Sequence, residues 1–301
     1  MNLQMTLFNK IMGTKDPAKP RTDIKMENDG TLTKKELDSL VGEIKTSGTK
    51  DFKPQTKIKP KKIDSIPTYV SAFDSLIERK GLERGSTILI SGGAGSGKTT
   101  FIMQSMYEGC KKGEKAIYIS LEEDPDKIRE HMYENYGWDF SEFEEKGTFV
   151  FLKFDALEIA RNVEAMILKE KEHLTIQFGS FELPFTPDRI AVDSLSALSI
   201  AFEKKENYRK YVRYLFERLE KYNSVNYFIT ETEQNPQVYS RAGIEEFLAD
   251  GVVVLYNIKV GNSRRQAIEI LKLRSSKHEK RIIPYEITKK GIELQVDEKI
   301  F

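Results

Sequence analysis

Cysteine is nearly absent from this sequence. Cys110 is the only one in 301 residues, which rules out an intrachain disulfide and makes a reducing cytoplasm the natural setting. Histidine is almost as scarce: His131, His173 and His278 lie far apart, so a zinc site is not expected. Long apolar runs are missing too. None approaches the ~20 residues that span a bilayer, and the N-terminus has no signal-peptide core, so membrane insertion and export are not expected. Nor does one sign of charge dominate, the net being +1. What remains, 39% hydrophobic and 32% charged residues, describes a soluble globular protein with room for one large α/β domain plus an extension, or two small domains.

The charge that is present is uneven. Residues 1–66 hold 14 Lys and Arg against nine Asp and Glu, a net of +5; the rest holds 34 against 38, a net of −4. A basic leader on a mildly acidic body does not resemble a dedicated duplex-DNA protein, whose binding domain carries a basic face. Pro17, Pro20, Pro54 and Pro60 interrupt the leader, and its low apolar content predicts an N-terminal extension, 1–66, that is largely disordered. Two stretches within it have amphipathic spacing: Leu3 to Ile11, and Thr33 to Ile44 with Leu37, Leu40, Val41 and Ile44 on one face. Either they dock a protein partner or they are transient helices on a tail.

The rest of the chain is organised around Gly92-Gly93-Ala94-Gly95-Ser96-Gly97-Lys98-Thr99. The apolar run Thr87–Ser91 precedes it, and Thr100 and Phe101–Gln104 continue as a helical pattern. Strand, glycine loop and helix form the setting of a phosphate-binding loop. Glycines let successive N–H groups turn inward toward phosphate oxygens, and the helix N-terminus adds its positive end. Lys98 would reach the β- and γ-phosphates of ATP, and the Thr99 hydroxyl would ligate Mg²⁺.

A domain over 67–301 is expected. Phe73, Leu76 and Ile77 fit a short helix under the loop. Lys115–Ser120, Thr148–Phe154, Arg189–Asp193 and Val225–Thr230 read as strands, and helices are expected from Asp124-Pro125 to about Tyr136 and from Leu157 to about His173. Tyr208, Tyr211, Leu215, Leu219 and Tyr222 mark a further helical face, while Thr175–Pro187 reads as a surface hairpin. From Val252 onward only strands appear: Val252–Val260, Gln266–Leu273, Ile282–Thr288 and Gly291–Val296. The fold class expected is therefore α/β, a mostly parallel sheet flanked by helices with antiparallel strands at its C-terminal edge.

Three groups outside the loop can carry chemistry. Asp193 ends an apolar strand, where a phosphate-loop protein holds Mg²⁺; it also suits an N-cap for Ser194–Leu198. Glu122 and Glu123 follow the strand Lys115–Ser120 at the carboxyl edge, where a carboxylate can activate water beside the γ-phosphate. Lys272 and Arg274 are two apart on one strand and share a face, with His278 and Lys280 close behind. Taken alone, that cluster reads as a solvated basic strand end or as a set of phosphate-neutralising cations.

From about Ile66 to Val296 the sequence resembles a single KaiC-type domain of the RecA superfamily of ATPases, of the single-domain archaeal kind. The matching residues are Gly92–Thr99, Leu121-Glu122-Glu123, Asp193-Ser194, Thr230-Glu231-Thr232-Glu233, Gly243-Ile244-Glu245-Glu246-Phe247, and Glu269–Arg274 with His278 and Lys280. The resemblance implies a RecA-type core that assembles into a homo-oligomeric ring, usually a hexamer, with ATP between subunits. It makes Glu122 and Glu123 the catalytic pair. It makes Lys272, Arg274, His278 and Lys280 the residues that approach phosphates and nucleotide from the adjacent subunit. The sequence also departs from the pattern. The circadian clock protein has two such domains in tandem and this sequence has one. Glu246-Phe247 stands where the kinase-active domain carries Ser-Thr, so autokinase activity is not expected, and the glycines that often precede the core are missing around Thr68–Ser71.

Three functions follow as expectations. The first is a cytoplasmic, Mg²⁺-dependent regulatory or signalling ATPase working at ring interfaces. The second is a recombinase paralogue acting on DNA in repair, for which no DNA-binding loops are identifiable. The third is a non-hydrolysing, ATP-dependent assembly switch comparable to the KaiC-like component of the archaeal motility motor, against which both glutamates count.

Overall fold

The computed structural model describes residues 64–169, 183–233 and 238–298. The two amphipathic stretches of the N-terminal extension lie outside the described residues, as does residue 173.

The apolar runs become the centre of one sheet. Strands β1 (Ser65–Ile66) and β2 (Leu82–Glu83) form a small antiparallel pair at the entry, with Ile66 buried. The main sheet is then built from β3 (Thr87–Gly92), β4 (Ala116–Ser120), β5 (Phe149–Lys153), β6 (Arg189–Asp193), β7 (Val225–Glu231), β8 (Gly251–Val260), β9 (Ser263–Leu273), β10 (Ile283–Thr288) and β11 (Gly291–Leu294). Its order is β11-β10-β9-β8-β3-β7-β6-β4-β5. The six strands from β8 to β5 are parallel, and β9, β10 and β11 add on antiparallel. This is the mixed sheet that the sequence pattern implies.

Helices cover both faces, which is why the central strands are apolar throughout rather than alternating. All six residues of β3 are buried. Ile88 and Ile90 face one layer, with α1 (Lys98–Lys111) and α2 (Pro125–Tyr136); Leu89 faces the other, with α4 (Ala156–Lys169), α5 (Leu195–Ala201) and α6 (Lys205–Glu220). Each such fully buried Ile or Leu contributes about 1.5–3 kcal/mol relative to exposure. One charge sits inside as well. Arg189 is fully buried and donates to Glu114 Oε2 at 2.6 Å, Ser105 Oγ at 2.8 Å, the Tyr227 hydroxyl at 3.2 Å and the Pro67 carbonyl at 2.6 Å.

Local chemistry sets most boundaries where expected. Asp124 accepts from the Asp126 N–H, Pro125 occupies the first turn of α2, and Gly137 ends it in the left-handed region. Differences are small but informative. The short helix at Phe73–Leu76 is 3-10, and Phe73 meets the Phe101 ring of α1 edge-on at 5.0 Å. A single turn, α3 (Ser141–Glu145), was not signalled in the sequence. The cap of α5 is Ser194, whose side chain accepts from the Ala197 N–H, so Asp193 is not the capping residue. Of the expected hairpin Thr175–Pro187, residues 175–182 lie outside the described residues, and 183–187 contain no strand.

Candidate functional site

Parallel pairing brings strand ends together along one edge. Gly92 of β3 stands beside Glu231 of β7, and Ser120 of β4 beside Asp193 of β6. The carboxyl edge of such a sheet is where ligands of open α/β folds sit.

The glycine loop occupies that edge and its glycines have specific reasons. A Cβ on Gly92 would lie 2.3 Å from the Leu255 carbonyl oxygen, so only glycine permits β8 to run alongside. Gly97, at φ +84°, turns the chain into α1. Lys98 is buried and its Nζ donates to the Gly93 carbonyl at 3.1 Å, so the side chain folds back over the loop. Burial pulls the Lys98 ammonium below its ordinary pKa, while Glu231, Asp193 and Glu122 pull the other way.

Asp193 is the hinge of the polar cluster. Its Oδ2 accepts from Thr99 Oγ1 at 3.2 Å and from the Tyr118 hydroxyl. Burial pushes the Asp193 carboxyl up to about 6, against the effect of both hydrogen bonds. A half-buried carboxylate facing a threonine hydroxyl at the mouth of a phosphate loop suits a divalent cation, and Thr99 and Asp193 are the residues that would hold Mg²⁺. Among the described residues there is no group of three or more His, Cys, Asp or Glu able to hold a metal. The donor set therefore fits a cation that takes its other ligands from phosphate oxygens and water.

The two glutamates diverge. Glu122 Oε2 accepts from Ser194 Oγ at 2.8 Å, next to Asp193. Glu123 turns away: its side chain lies 3.7 Å from His131 Nδ1, and its carbonyl accepts from Ser120 Oγ. Thr100, next to Thr99, has its hydroxyl 3.1 Å from that of Tyr136. The loop Gly92–Thr99, Asp193 and Glu122 thus come together on one edge.

The basic residues do not. Lys272 pairs with Val252, which pairs with Leu89, three residues before Gly92. At 3.3 Å per residue that is about 10 Å back along the strand from the loop. The Arg274 N–H donates to the Asp250 carbonyl, and the Asp250 N–H to that of Thr87, at the amino end of β3. Lys272 Nζ donates to the carbonyls of Glu246 (3.0 Å) and Ala249 (2.5 Å), in and just after the short helix α7 (Glu245–Leu248). Arg274 donates to Phe247 O and to Asp250 Oδ1. Burial, and then the neighbouring Arg274, lower the pKa of Lys272. His278 follows on a segment bridged to Ile77, and Lys280 is exposed beyond it.

The sequence places Ser194 and Glu231 in the family pattern without a chemical role, and gives Tyr118 none. Glu231 had a signal, a carboxylate ending an apolar strand. Tyr118 had none, because within Ala116–Ser120 it reads as one more core residue.

A family model described as an ATPase, KaiC, matches residues 66–299. The chain is 30% identical over 292 residues to the circadian clock oscillator protein KaiC of Parathermosynechococcus lividus, covering 95% of this chain and 49% of that protein. It is 31% identical over 237 residues to the circadian clock protein KaiC3 of Synechocystis sp., covering 76% of this chain and 45% of that one. It thus spans about half the length of the curated relatives it matches. Among solved structures, a KaiC-like protein of the hyperthermophilic archaeon Pyrococcus horikoshii OT3 aligns with a TM-score of 0.63 at 28% identity, over 77% of this chain and 99% of that one. With the phosphate loop, the strand-end carboxylates and a match over most of its length, the chain belongs to the KaiC family of ATPases and has its RecA-type phosphate-loop fold.

Proposed function

We propose that this protein is a Mg²⁺-dependent ATPase whose catalytic site is completed by a second copy of the chain, in a homo-oligomeric, hexameric ring. The observation that supports this reading is the placement of Lys272 and Arg274 at the amino end of the parallel strands, away from their own phosphate loop. Both cations are engaged by α7 and Asp250 rather than by the loop of their own subunit, and a head-to-tail ring would bring that surface against a neighbour.

Lys98 and the loop amides would bind the β- and γ-phosphates, and Thr99 and Asp193 would hold Mg²⁺, which neutralises phosphate charge when bound. Glu122, oriented by Ser194, takes a proton from the attacking water. Lys272 and Arg274, with His278 and Lys280 behind them, stabilise the charge that develops on the neighbour's γ-phosphate. The two curated relatives described above are named as clock proteins, and a regulatory or signalling role is the corresponding reading here. Residues 1–66 are the proposed segment for a protein partner.

Phosphate release and light scattering, each with and without ATP and Mg²⁺, test the proposal together. Turnover confined to a multimeric species supports it. A monomer that hydrolyses ATP at full rate at every concentration contradicts it.

A further inference from the structure

The antiparallel C-terminal strands lie on the side of the sheet that carries no proposed catalytic group near the loop, yet they touch the phosphate loop at three points. The hydroxyl of Tyr285, in β10 and 2% exposed, donates to the Ser96 carbonyl. Gln266 Nε2, in β9, donates to the Gly95 carbonyl at 3.3 Å. Ile287, in β10, closes over Gly97, where an added Cβ would meet its Cδ1 at 2.8 Å. The support is itself anchored. Gln104 of α1 uses its side-chain amide as a strand edge: Nε2 donates to the Ile292 carbonyl at 3.3 Å, and Oε1 accepts from the Ile292 N–H at 2.7 Å.

The geometry of a trans peptide turns these outer contacts into an inner effect. Its C=O and N–H point in opposite directions. Tying the Ser96 carbonyl outward to Tyr285 therefore directs the Gly97 N–H inward, and tying the Gly95 carbonyl to Gln266 holds the peptide whose Ser96 N–H closes the loop's own turn onto the Gly93 carbonyl at 3.3 Å. The first is a loop amide that a bound phosphate needs, and the second sets the curl that presents it. A glycine-rich loop without such ties samples many backbone states, and its binding-competent fraction divides its intrinsic affinity.

We infer that Tyr285 and Gln266 are positioning residues for nucleotide binding, holding the phosphate loop in its anion-receiving shape before the ligand arrives. This inference rests on the reading that the loop binds phosphates.

The experiment uses the full chain as wild type, Tyr285→Phe, Gln266→Leu and Lys98→Ala. Binding of ADP is measured calorimetrically in EDTA, where no metal contributes, and thermal melting is recorded without nucleotide. Loss of one hydrogen bond of about average strength corresponds to about a fivefold change in Kd. Each positioning variant is expected to bind ADP about fivefold more weakly than wild type, with KM for ATP raised and kcat at saturation unchanged. A purely structural role would lower the melting temperature and leave Kd where it was; ADP affinity within twofold of wild type in the folded variants overturns the inference. Gln266 lies at the surface, so its variant decides the matter if Tyr285→Phe does not fold. Wild type and Lys98→Ala binding ADP equally would instead remove the phosphate-loop reading itself.

Discussion

Glu122→Gln separates binding from hydrolysis. Glutamine has the shape of glutamate and keeps an oxygen that accepts from Ser194 Oγ, now 2.8 Å from Glu122 Oε2. The loop, Lys98 and the Thr99–Asp193 contact are untouched, and one negative charge acting on Lys98 disappears. ATP affinity should therefore be unchanged or slightly tighter. On the proposed mechanism, what is lost is the group that accepts the proton of the attacking water, a contribution of about 10²–10⁴-fold. Phosphate release at saturating ATP should fall by at least about a hundredfold, while nucleotide binding, measured separately, stays within a few-fold of wild type. Glu123→Gln is the internal control. Its side chain faces His131 rather than Asp193 or Lys98, so a loss of under about fivefold is expected, well below what a general base contributes. Unchanged kcat in Glu122→Gln would refute the assignment, and a larger loss at Glu123 would exchange the two roles.

Two further outcomes follow. Asp193, raised to about 6 by burial, takes up a proton on folding between roughly pH 4 and 6, so its contribution to apo stability declines as pH rises through that window. Mg²⁺ needs the ionised carboxyl, so Mg²⁺-dependent nucleotide affinity should drop by up to about tenfold per pH unit below the midpoint and level off above pH 7. Tyr118→Phe removes a donor to Asp193 and should move that midpoint upward; a flat profile in both proteins would remove Asp193 from the metal site. Arg189→Met leaves Glu114 without its buried partner and should cost about 3–5 kcal/mol in urea unfolding, whereas a loss below 1 kcal/mol would show the network to be dispensable.

Much of this was legible in the sequence because the chemistry is local. Thr87–Ser91 followed by the glycine loop, Asp124-Pro125 opening α2, and carboxylates just past β4 (Glu122) and at the end of β6 (Asp193) each carry their signal within a few residues. The parts that were not legible depend on register. Tyr118 reads as core until β4 pairs with β6 and its hydroxyl meets Asp193. Ser194 rather than Asp193 caps α5 because the helix starts at Leu195 and Asp193 still belongs to β6, its carboxyl accepting from Thr99. The turn α3 is held by burial of Phe143 against distant rings, not by its own propensity. Lys272 and Arg274 could be assigned to a shared strand face, but only the β3–β8–β9 register puts them at the far end from their own loop. Tyr285 and Gln266 were invisible for the same reason, since their partners lie 189 and 171 residues away.

Subunit mixing tests the central claim most directly. Lys98→Ala subunits keep their cations and lose the loop lysine; Arg274→Ala subunits keep the loop and lose a cation. Each alone should be nearly inactive. Mixed one to one in a head-to-tail ring, about a quarter of interfaces pair an intact loop with intact cations, and about that fraction of wild-type phosphate release should return. Mixed assemblies that form, as verified by native mass measurement, and yet stay as inactive as their parents would contradict a site shared between subunits.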